Sequence, residues 1–334
     1  MSGETPDLPC VPELPARGPG ADLVGRALAL LSEVAPEFAG ETTPSGWRLA
    51  GRTSGAGSRD MRRAQAWLAE DLDVAEEEYS GASMVKWAQA GPWTLAANVE
   101  LANGRRLLSD PGALRDLASA YETAVDSQMV RLTRRFAGAR LVLQIDEPSL
   151  PGVVAGRIPT VSGLDYYRAV SPDVARHTLA RVVSAAHARS ALVVLHCCAI
   201  PAPIGMLRQT GADAVDVDLT AQSAAGNTGQ DEHEVGELFE SDTGVVAGVL
   251  DGRHPAGSVA TGGVGHGTVQ ESGVAGSVHT VMALTERLGI PLDAALPRMA
   301  VSTPCGLAGI SPAGARSTVR GLAQVSAILR KEVA

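Results

Sequence analysis

The sequence has few cysteines, no excess of basic residues and no long apolar run, and each shortage excludes a class of protein. Four cysteines in 334 residues, without a secretory leader, favour thiols that are kept reduced or bound to metal over a disulfide framework. A net charge of −9 gives no electrostatic footprint for nucleic acid. No apolar stretch approaches the roughly 20 residues of a membrane span, and the first residues lack the basic and apolar regions of a signal peptide. We therefore expect a cytoplasmic protein that binds neither nucleic acid nor membrane.

What the sequence does contain is a regular alternation of strand-like and helix-like segments. Short apolar runs indicate strands at 84–88, 141–145, 191–195, 214–219, 244–250 and 298–301. Helical periodicity and capping residues predict helices at 21–34, 59–78, 111–136, 171–189, 273–288 and 312–331. Such alternation predicts an α/β fold with a parallel sheet. A closed barrel has eight strands, and the irregular first 60 residues could contain one of those not seen in the pattern.

Residues able to bind a metal follow the strand predicted at 191–195, because His196, Cys197 and Cys198 come directly after the apolar run. His196 and Cys198 are two residues apart, so in an extended chain they point to the same side. Zinc takes nitrogen and sulfur ligands of this kind. A lone His-x-Cys is nevertheless more often a buried structural feature than a metal site. The interpretation therefore depends on partners at other strand ends.

Polar residues follow several other predicted strands, at Asp146 and Glu147, at Asp216 or Asp218, at Asp251 with His254, and at Cys305. In a parallel barrel all of these positions lie on the carboxyl-terminal face. Two thiolates, one imidazole and one carboxylate suit a tetrahedral zinc site. On spacing alone, either aspartate of the pair at 216 and 218 could supply the carboxylate.

Four motifs, in this order, resemble the catalytic half of the cobalamin-independent methionine synthase family. They are Gln144-Ile145-Asp146-Glu147-Pro148-Ser149-Leu150, His196-x-Cys198, the strand that carries Asp218, and Pro304-Cys305-Gly306-Leu307. Gly91-Pro92-x-Thr94 also resembles a family motif, so the similarity extends from about residue 80 to the C-terminus. The resemblance implies a (β/α)8 barrel of the TIM type over residues 61–334. Residues 1–60 would then form an N-terminal arm and helix packed on the barrel.

The resemblance also implies a set of zinc ligands. His196, Cys198 and Cys305 match ligands of the family, and Asp218 falls close to the position of a glutamate ligand. Aspartate is one methylene shorter than glutamate, which reduces its reach toward a metal ion.

Other residues acquire expected roles from the same resemblance. Asp146 matches an aspartate that holds the amino group of the substrate, as a charge-assisted partner of an ammonium group. Glu147 and Trp93 are expected to bind substrate beside it. Asp251 and His254 loosely resemble a catalytic Asp-x-His pair that handles protons, although the spacing here is Asp-Gly-Arg-His.

The function implied is a zinc-dependent transfer of a methyl group to the thiol of homocysteine, giving methionine. The donor is left open between a polyglutamated 5-methyltetrahydrofolate and a methyl-corrinoid protein. One alternative is another zinc thiol methyltransferase of the related decarboxylase-like barrels, with a different acceptor. A second is a zinc-storing or redox-sensing protein in which Cys197 and Cys198 form a switch, although adjacent cysteines make a strained disulfide.

Overall fold

The computed structural model describes residues 8–50, 58–220, 228–252 and 269–334. These residues form two compact units. The first unit comprises the described residues up to His196 together with Gln209–Ala212, and the second comprises Cys197–Arg208 and the described residues from Asp213 onward. The division into an arm of residues 1–60 and a barrel of residues 61–334 stays a prediction.

The first unit contains six helices and six strands. The helices are α1 (Leu23–Val34), α2 (Arg59–Glu78), α3 (Pro92–Asn98), α4 (Pro111–Arg135), α5 (Leu150–Val154) and α6 (Pro172–His187). The strands are β1 (Gly40–Thr43), β2 (Gly46–Leu49), β3 (Met84–Ala90), β4 (Val99–Glu100), β5 (Arg140–Asp146) and β6 (Leu192–Cys197).

Strands β3, β5 and β6 are parallel neighbours in that order. Their hydrophobic face is built of cross-strand rows such as Trp87, Leu143 and Val193, none of which is more than 1% exposed. The same registers align the strand ends, because Asp146 pairs with Ala90 on one side and with His196 on the other. Parallel pairing thus places Asp146 and His196 next to each other at the carboxyl-terminal edge.

The long helices of this unit begin where their capping residues predict. Ser58 caps α2, since its hydroxyl accepts the backbone N–H of Met61 at 3.0 Å. Asp110 caps α4 by accepting the backbone N–H groups of Gly112 and Ala113, with Pro111 in the first turn. Caps of this type satisfy amide donors that have no partner within the helix.

Part of the segment expected to be loop forms a second sheet instead. Strands β1 and β2 pair antiparallel and β2 pairs with β4 in parallel, giving a three-stranded sheet. The N-terminal arm also pairs, because Lys86 N–H donates to Pro9 at 2.8 Å and Val11 N–H donates to Lys86 at 2.9 Å. This single parallel bridge, between Cys10 and Lys86, lies along β3.

The second unit contains three parallel strands with helices between them. The helices are α7 (Ile204–Arg208), α8 (Thr228–Glu240), α9 (Val269–Leu288), α10 (Leu292–Ala295) and α11 (Pro312–Lys331), and the strands are β7 (Ala214–Asp218), β8 (Gly244–Gly248) and β9 (Met299–Ser302). The order is β7–β8–β9, and one row at the strand ends consists of Asp218, Gly248 and Ser302.

The predicted α/β class with parallel strands is confirmed. All six strands expected from the sequence are present among the described residues, three in each unit. A closed eight-stranded barrel is not shown by this part of the chain and stays a prediction. No helix in the described ranges is both long and apolar enough to cross a membrane.

A buried ion pair anchors the three-stranded sheet. Glu100 on β4 is fully buried, and its carboxylate accepts two hydrogen bonds from Arg48 on β2, at 2.6 and 3.0 Å, and one from Ser45 at 2.8 Å. Burial alone raises the pKa of Glu100, but the hydrogen bonds from Arg48 and Ser45 outweigh it, so the pKa lies below its ordinary value of 4.5.

We expect Glu100→Gln to lower the free energy of unfolding by about 1–3 kcal/mol at pH 7, because it removes a charge-assisted acceptor from buried donors. The folded-state pKa of Glu100 is depressed, so its stabilisation is complete above about pH 4.5 and is lost as the pH falls through the folded-state value. Denaturant unfolding of both proteins between pH 3 and 7 should show the difference shrinking in acid.

The matched control for this substitution is Asp242→Asn, at an acidic residue whose ion pair with Arg298 lies at the surface, with the Asp242 side chain 98% exposed. Exposed pairs contribute little, so this variant should unfold like the wild type at every pH. A Glu100→Gln protein as stable as the wild type at pH 7 would contradict a stabilising role for the pair.

Candidate metal centre

Three potential metal ligands lie together where β6 ends. Among the described residues, the donor atoms of His196, Cys198 and Cys305 lie within 4.8 Å of one another. His196 is held in β6, with its side chain only 6% exposed, and Cys198 follows one residue after the strand. The extended spacing expected of His-x-Cys therefore brings both donors to the same place. Metal binding by this group stays a prediction.

A close backbone approach positions Cys305. Gly248, the last residue of β8, has no side chain, and a Cβ atom there would lie 2.7 Å from Cα of Pro304. The ladder also continues past the strand, since Val249 N–H donates to the carbonyl of Ser302 at 3.0 Å. The Pro304-Cys305 segment therefore packs directly over the end of β8.

The two sulfur atoms influence each other's protonation. A hydrogen bond with Cys305 raises the pKa of the Cys198 thiol, and burial and the negative charge of an ionised Cys305 raise it further. Two thiols this close retain a proton because two adjacent thiolates repel each other. A bound cation reverses this effect and deprotonates coordinating thiols. One imidazole and two thiols match the donor preference of zinc.

The predicted carboxylate ligand is not part of the group. Asp218 ends β7 and is 9% exposed, and its Oδ1 accepts the N–H of Thr220 at 2.8 Å and the Thr220 hydroxyl at 2.7 Å. Asp216 lies two residues earlier on the same strand and is 2% exposed. The role of either aspartate as the fourth ligand stays a prediction.

Glu147 has a structural partner that the sequence did not reveal. Its carboxylate accepts the N–H groups of Trp93 at 2.9 Å and of Thr94 at 2.7 Å, and also the Thr94 hydroxyl at 2.7 Å. These groups form the first turn of α3, which has no side-chain cap of its own. Burial raises the pKa of Glu147 to about 7 despite the hydrogen bonds that lower it. The signal for this contact was a helix start at Gly91-Pro92 without a polar capping residue.

The other predicted site residues lie in different surroundings. Trp93 is buried, and its indole N–H donates to the carbonyl of Ala175 at 3.1 Å. Asp146 is 8% exposed and accepts a hydrogen bond from Gln144 at 2.8 Å. Asp251 is half-buried, while His254 lies outside the described residues. The substrate-binding and catalytic roles of these residues stay predictions.

Comparison with known proteins gives a likeness of fold. No protein-family model and no curated protein matches the sequence. A solved structure does: the B12-independent methionine synthase from Shewanella sp. W3-18-1 in complex with selenomethionine, at 15% sequence identity and a TM-score of 0.51, over 86% of this chain and 71% of that chain. Similarity at this level of identity shows a related fold and leaves the activity of this chain to be tested.

We expect Gly91→Ala to destabilise the protein by about 1–3 kcal/mol, the usual cost of overpacking a tight site. A Cβ at this position would lie 2.3 Å from Oε1 of Glu147, which is held by α3. The matched control is Gly276→Ala on α9, where no atom lies within 4 Å of the added carbon. That exchange should be neutral or stabilising, since alanine favours helix. Thermal unfolding tests both, and equal midpoints for the two variants would contradict the close contact.

We expect the purified, reduced protein to contain about one zinc ion per chain, held by His196, Cys198 and Cys305 together with a fourth ligand. Cys198→Ser and Cys305→Ser should each lose it, because each removes one sulfur donor. Cys197→Ser and Cys10→Ser are matched controls, since neither cysteine belongs to the grouped donors, and both should retain the metal. Elemental analysis provides the measurement, and zinc retained in the first two variants would exclude this site.

Proposed function

We propose that this protein is a zinc-dependent methyltransferase that transfers a methyl group to the thiol of homocysteine and forms methionine. The observation that carries the proposal is the grouping of His196, Cys198 and Cys305 within 4.8 Å. The fold likeness to a methionine synthase crystallised with selenomethionine supports a thiol amino acid as the substrate class.

The chemistry that zinc would supply at these ligands is Lewis-acid activation of a thiol. A free thiol has a pKa near 8.5, so only about 3% of it is the nucleophilic thiolate at pH 7. The protein's contribution is a preformed donor set. His196 is fixed by the backbone of β6, and the sulfur of Cys305 is brought beside that of Cys198.

Asp146 is the proposed acceptor for the amino group of the substrate. It pairs with His196 across β5 and β6, and neighbouring strands lie about 5 Å apart. The amino nitrogen and the sulfur of homocysteine are separated by four bonds. A single substrate molecule can therefore extend from the carboxylate of one strand to the metal ligands of the next.

The remaining expected features belong to the same proposal. Asp218 would complete the ligand set, Asp251 and His254 would handle protons, and Trp93 would line the binding site. Glu147 would bind substrate beside Asp146, and its carboxylate also holds the first turn of α3 against β5. The closed (β/α)8 barrel and the cytoplasmic location are the corresponding proposals for fold and compartment.

The methyl donor remains a choice between 5-methyltetrahydrofolate and a methyl-corrinoid. In either case the bond from nitrogen or cobalt to the methyl carbon breaks and a sulfur–carbon bond forms. The thiol proton leaves to solvent or to the departing folate nitrogen. The two donors are distinguished by supplying each one separately.

We expect zinc-loaded protein to form methionine from homocysteine with one of the two donors. Asp146→Asn should lower kcat/KM for homocysteine about 10- to 100-fold, because the ammonium group loses its charged partner. The control Asp173→Asn changes an exposed carboxylate on α6 and should leave the rate unchanged. Methionine production measured by mass spectrometry provides the readout.

Two outcomes would overturn the proposal. Methylation of 2-mercaptoethanesulfonate but not of homocysteine would indicate a thiol methyltransferase with another acceptor. Release of zinc on mild oxidation, without transfer of methyl to any thiol, would indicate a redox-sensing protein.

A further inference from the structure

A chain of hydrogen bonds runs along one face of the sheet in the first unit and ends on Asp146. The ammonium group of Lys86 donates to Oε1 of Gln144 at 3.0 Å, and Nε2 of Gln144 donates to Oδ1 of Asp146 at 2.8 Å. Lys86 lies on β3, whereas Gln144 and Asp146 lie two residues apart on β5 and therefore share a face. We refer to Lys86 and Gln144 as the relay.

The two hydrogen bonds of the relay can run in only one direction, from Lys86 through Gln144 to Asp146. A lysine ammonium has three donors and no acceptor, whereas a glutamine amide has one of each kind. Lys86 must therefore face the oxygen of the Gln144 amide, which leaves the nitrogen to face Asp146. Without the ammonium group the amide oxygen would lose its donor, and the Gln144 side chain would be held only at its nitrogen. Lys86 thus holds the far end of the amide that contacts Asp146.

The buried Gln89 on β3 shows that a glutamine of this sheet can be held without a cation. Gln89 lies on the opposite face and is 3% exposed. Its amide oxygen accepts the indole N–H of Trp87 at 3.0 Å, and its nitrogen donates to the Tyr121 hydroxyl at 2.8 Å. Neutral groups orient that amide. Lysine is also scarce in this chain, with two among 28 basic residues, yet one of them starts the relay.

We infer that Lys86 and Gln144 are positioning residues that hold the Asp146 carboxylate in the orientation needed to accept the ammonium group of an α-amino thiol, and so set the preference for such substrates over des-amino thiols. This inference rests on the proposed function and deepens it. The carboxylate of Asp146 is only 8% exposed, and Gln144 donates a hydrogen bond to one of its oxygens from a fixed direction. An ammonium group is the ligand that such an acceptor favours. A des-amino thiol has no ammonium group that could donate a hydrogen bond to Asp146.

The test compares homocysteine with 4-mercaptobutyrate, which carries the thiol and the carboxylate but lacks the amino group. In zinc-loaded protein, Lys86→Met and Gln144→Leu should raise the KM for homocysteine and lower its kcat/KM about tenfold, the effect of one charge-assisted hydrogen bond. The kinetic constants for 4-mercaptobutyrate should stay unchanged. Lys86→Arg keeps a cationic donor and should preserve most of the preference.

A merely structural role would lower kcat/KM for both thiols together, so the ratio between them decides the question. Gln89→Leu is the matched control, because it also removes a glutamine with two hydrogen bonds from the same sheet. It should destabilise the protein and leave the ratio unchanged. Lys86→Met provides the milder test should Gln144→Leu fold poorly, since Lys86 is only half-buried.

Binding measurements distinguish an error in the role inferred for the relay from an error in the proposed function. Calorimetric titration with methionine and with 4-(methylthio)butyrate needs no methyl donor, and the wild type should bind methionine more tightly. If the wild type discriminates and the relay variants discriminate equally well, the relay is wrong and the function stands. If the wild type binds neither compound and methylates neither thiol, the proposed function fails and the relay fails with it.

Discussion

The structure of the candidate site depends on the backbone register between β5 and β6. The register pairs Asp146 with His196, and the ladder continues beyond the strands, since Glu147 N–H donates to the carbonyl of His196 at 2.8 Å and Gly91 N–H donates to that of Asp146 at 2.9 Å. A slip of one residue between the two strands would turn the side chain of one of them, Asp146 or His196, to the opposite face of the sheet. The apolar rows beneath prevent such a slip, because they are buried only in the observed register.

The carboxylate of Glu147 fixes the position of the chain directly after β5. A buried carboxylate is unfavourable unless it is hydrogen-bonded, and here it takes the amide donors of Trp93 and Thr94 that begin α3. The contact is tight, since a Cβ atom at position 91 would lie 2.3 Å from Oε1 of Glu147. The end of β5 is thereby joined to α3, and Asp146 lies between this junction and His196 on β6.

The thiols provide a second constraint on the chemistry of the site. Cys198 and Cys305 share a hydrogen bond, and the resulting rise in the pKa of Cys198 reflects the cost of placing two anions side by side. A zinc ion removes that cost by neutralising both sulfur atoms. On one neighbouring strand, the relay supplies Asp146 with a donor of fixed orientation. In the proposed function, separate groups of neighbouring strands would bind the metal ion and the ammonium group of the substrate.

The local features of this fold were predictable from the pattern of amino acids. The caps at Ser58 and Asp110 defined the starts of α2 and α4, the apolar runs defined six parallel strands, and the two-residue spacing placed His196 and Cys198 on one side. These features depend on neighbouring residues, and the periods of helix and strand are visible in any window of the chain.

Contacts between distant parts of the sequence were not predictable and emerge from the three-dimensional packing. The hairpin β1–β2 pairs with β4 around the buried carboxylate of Glu100, the arm at Cys10 lies along β3, and Glu147 caps a helix that begins 55 residues before it at Pro92. None of these has a local periodic signal, because each depends on a register or a close approach between separate elements. From the sequence, Cys305 was a candidate ligand by its place after a predicted strand and by the resemblance to a known family, but its distance from Cys198 was not predictable. The packing of its segment over Gly248 shows how the fold places it.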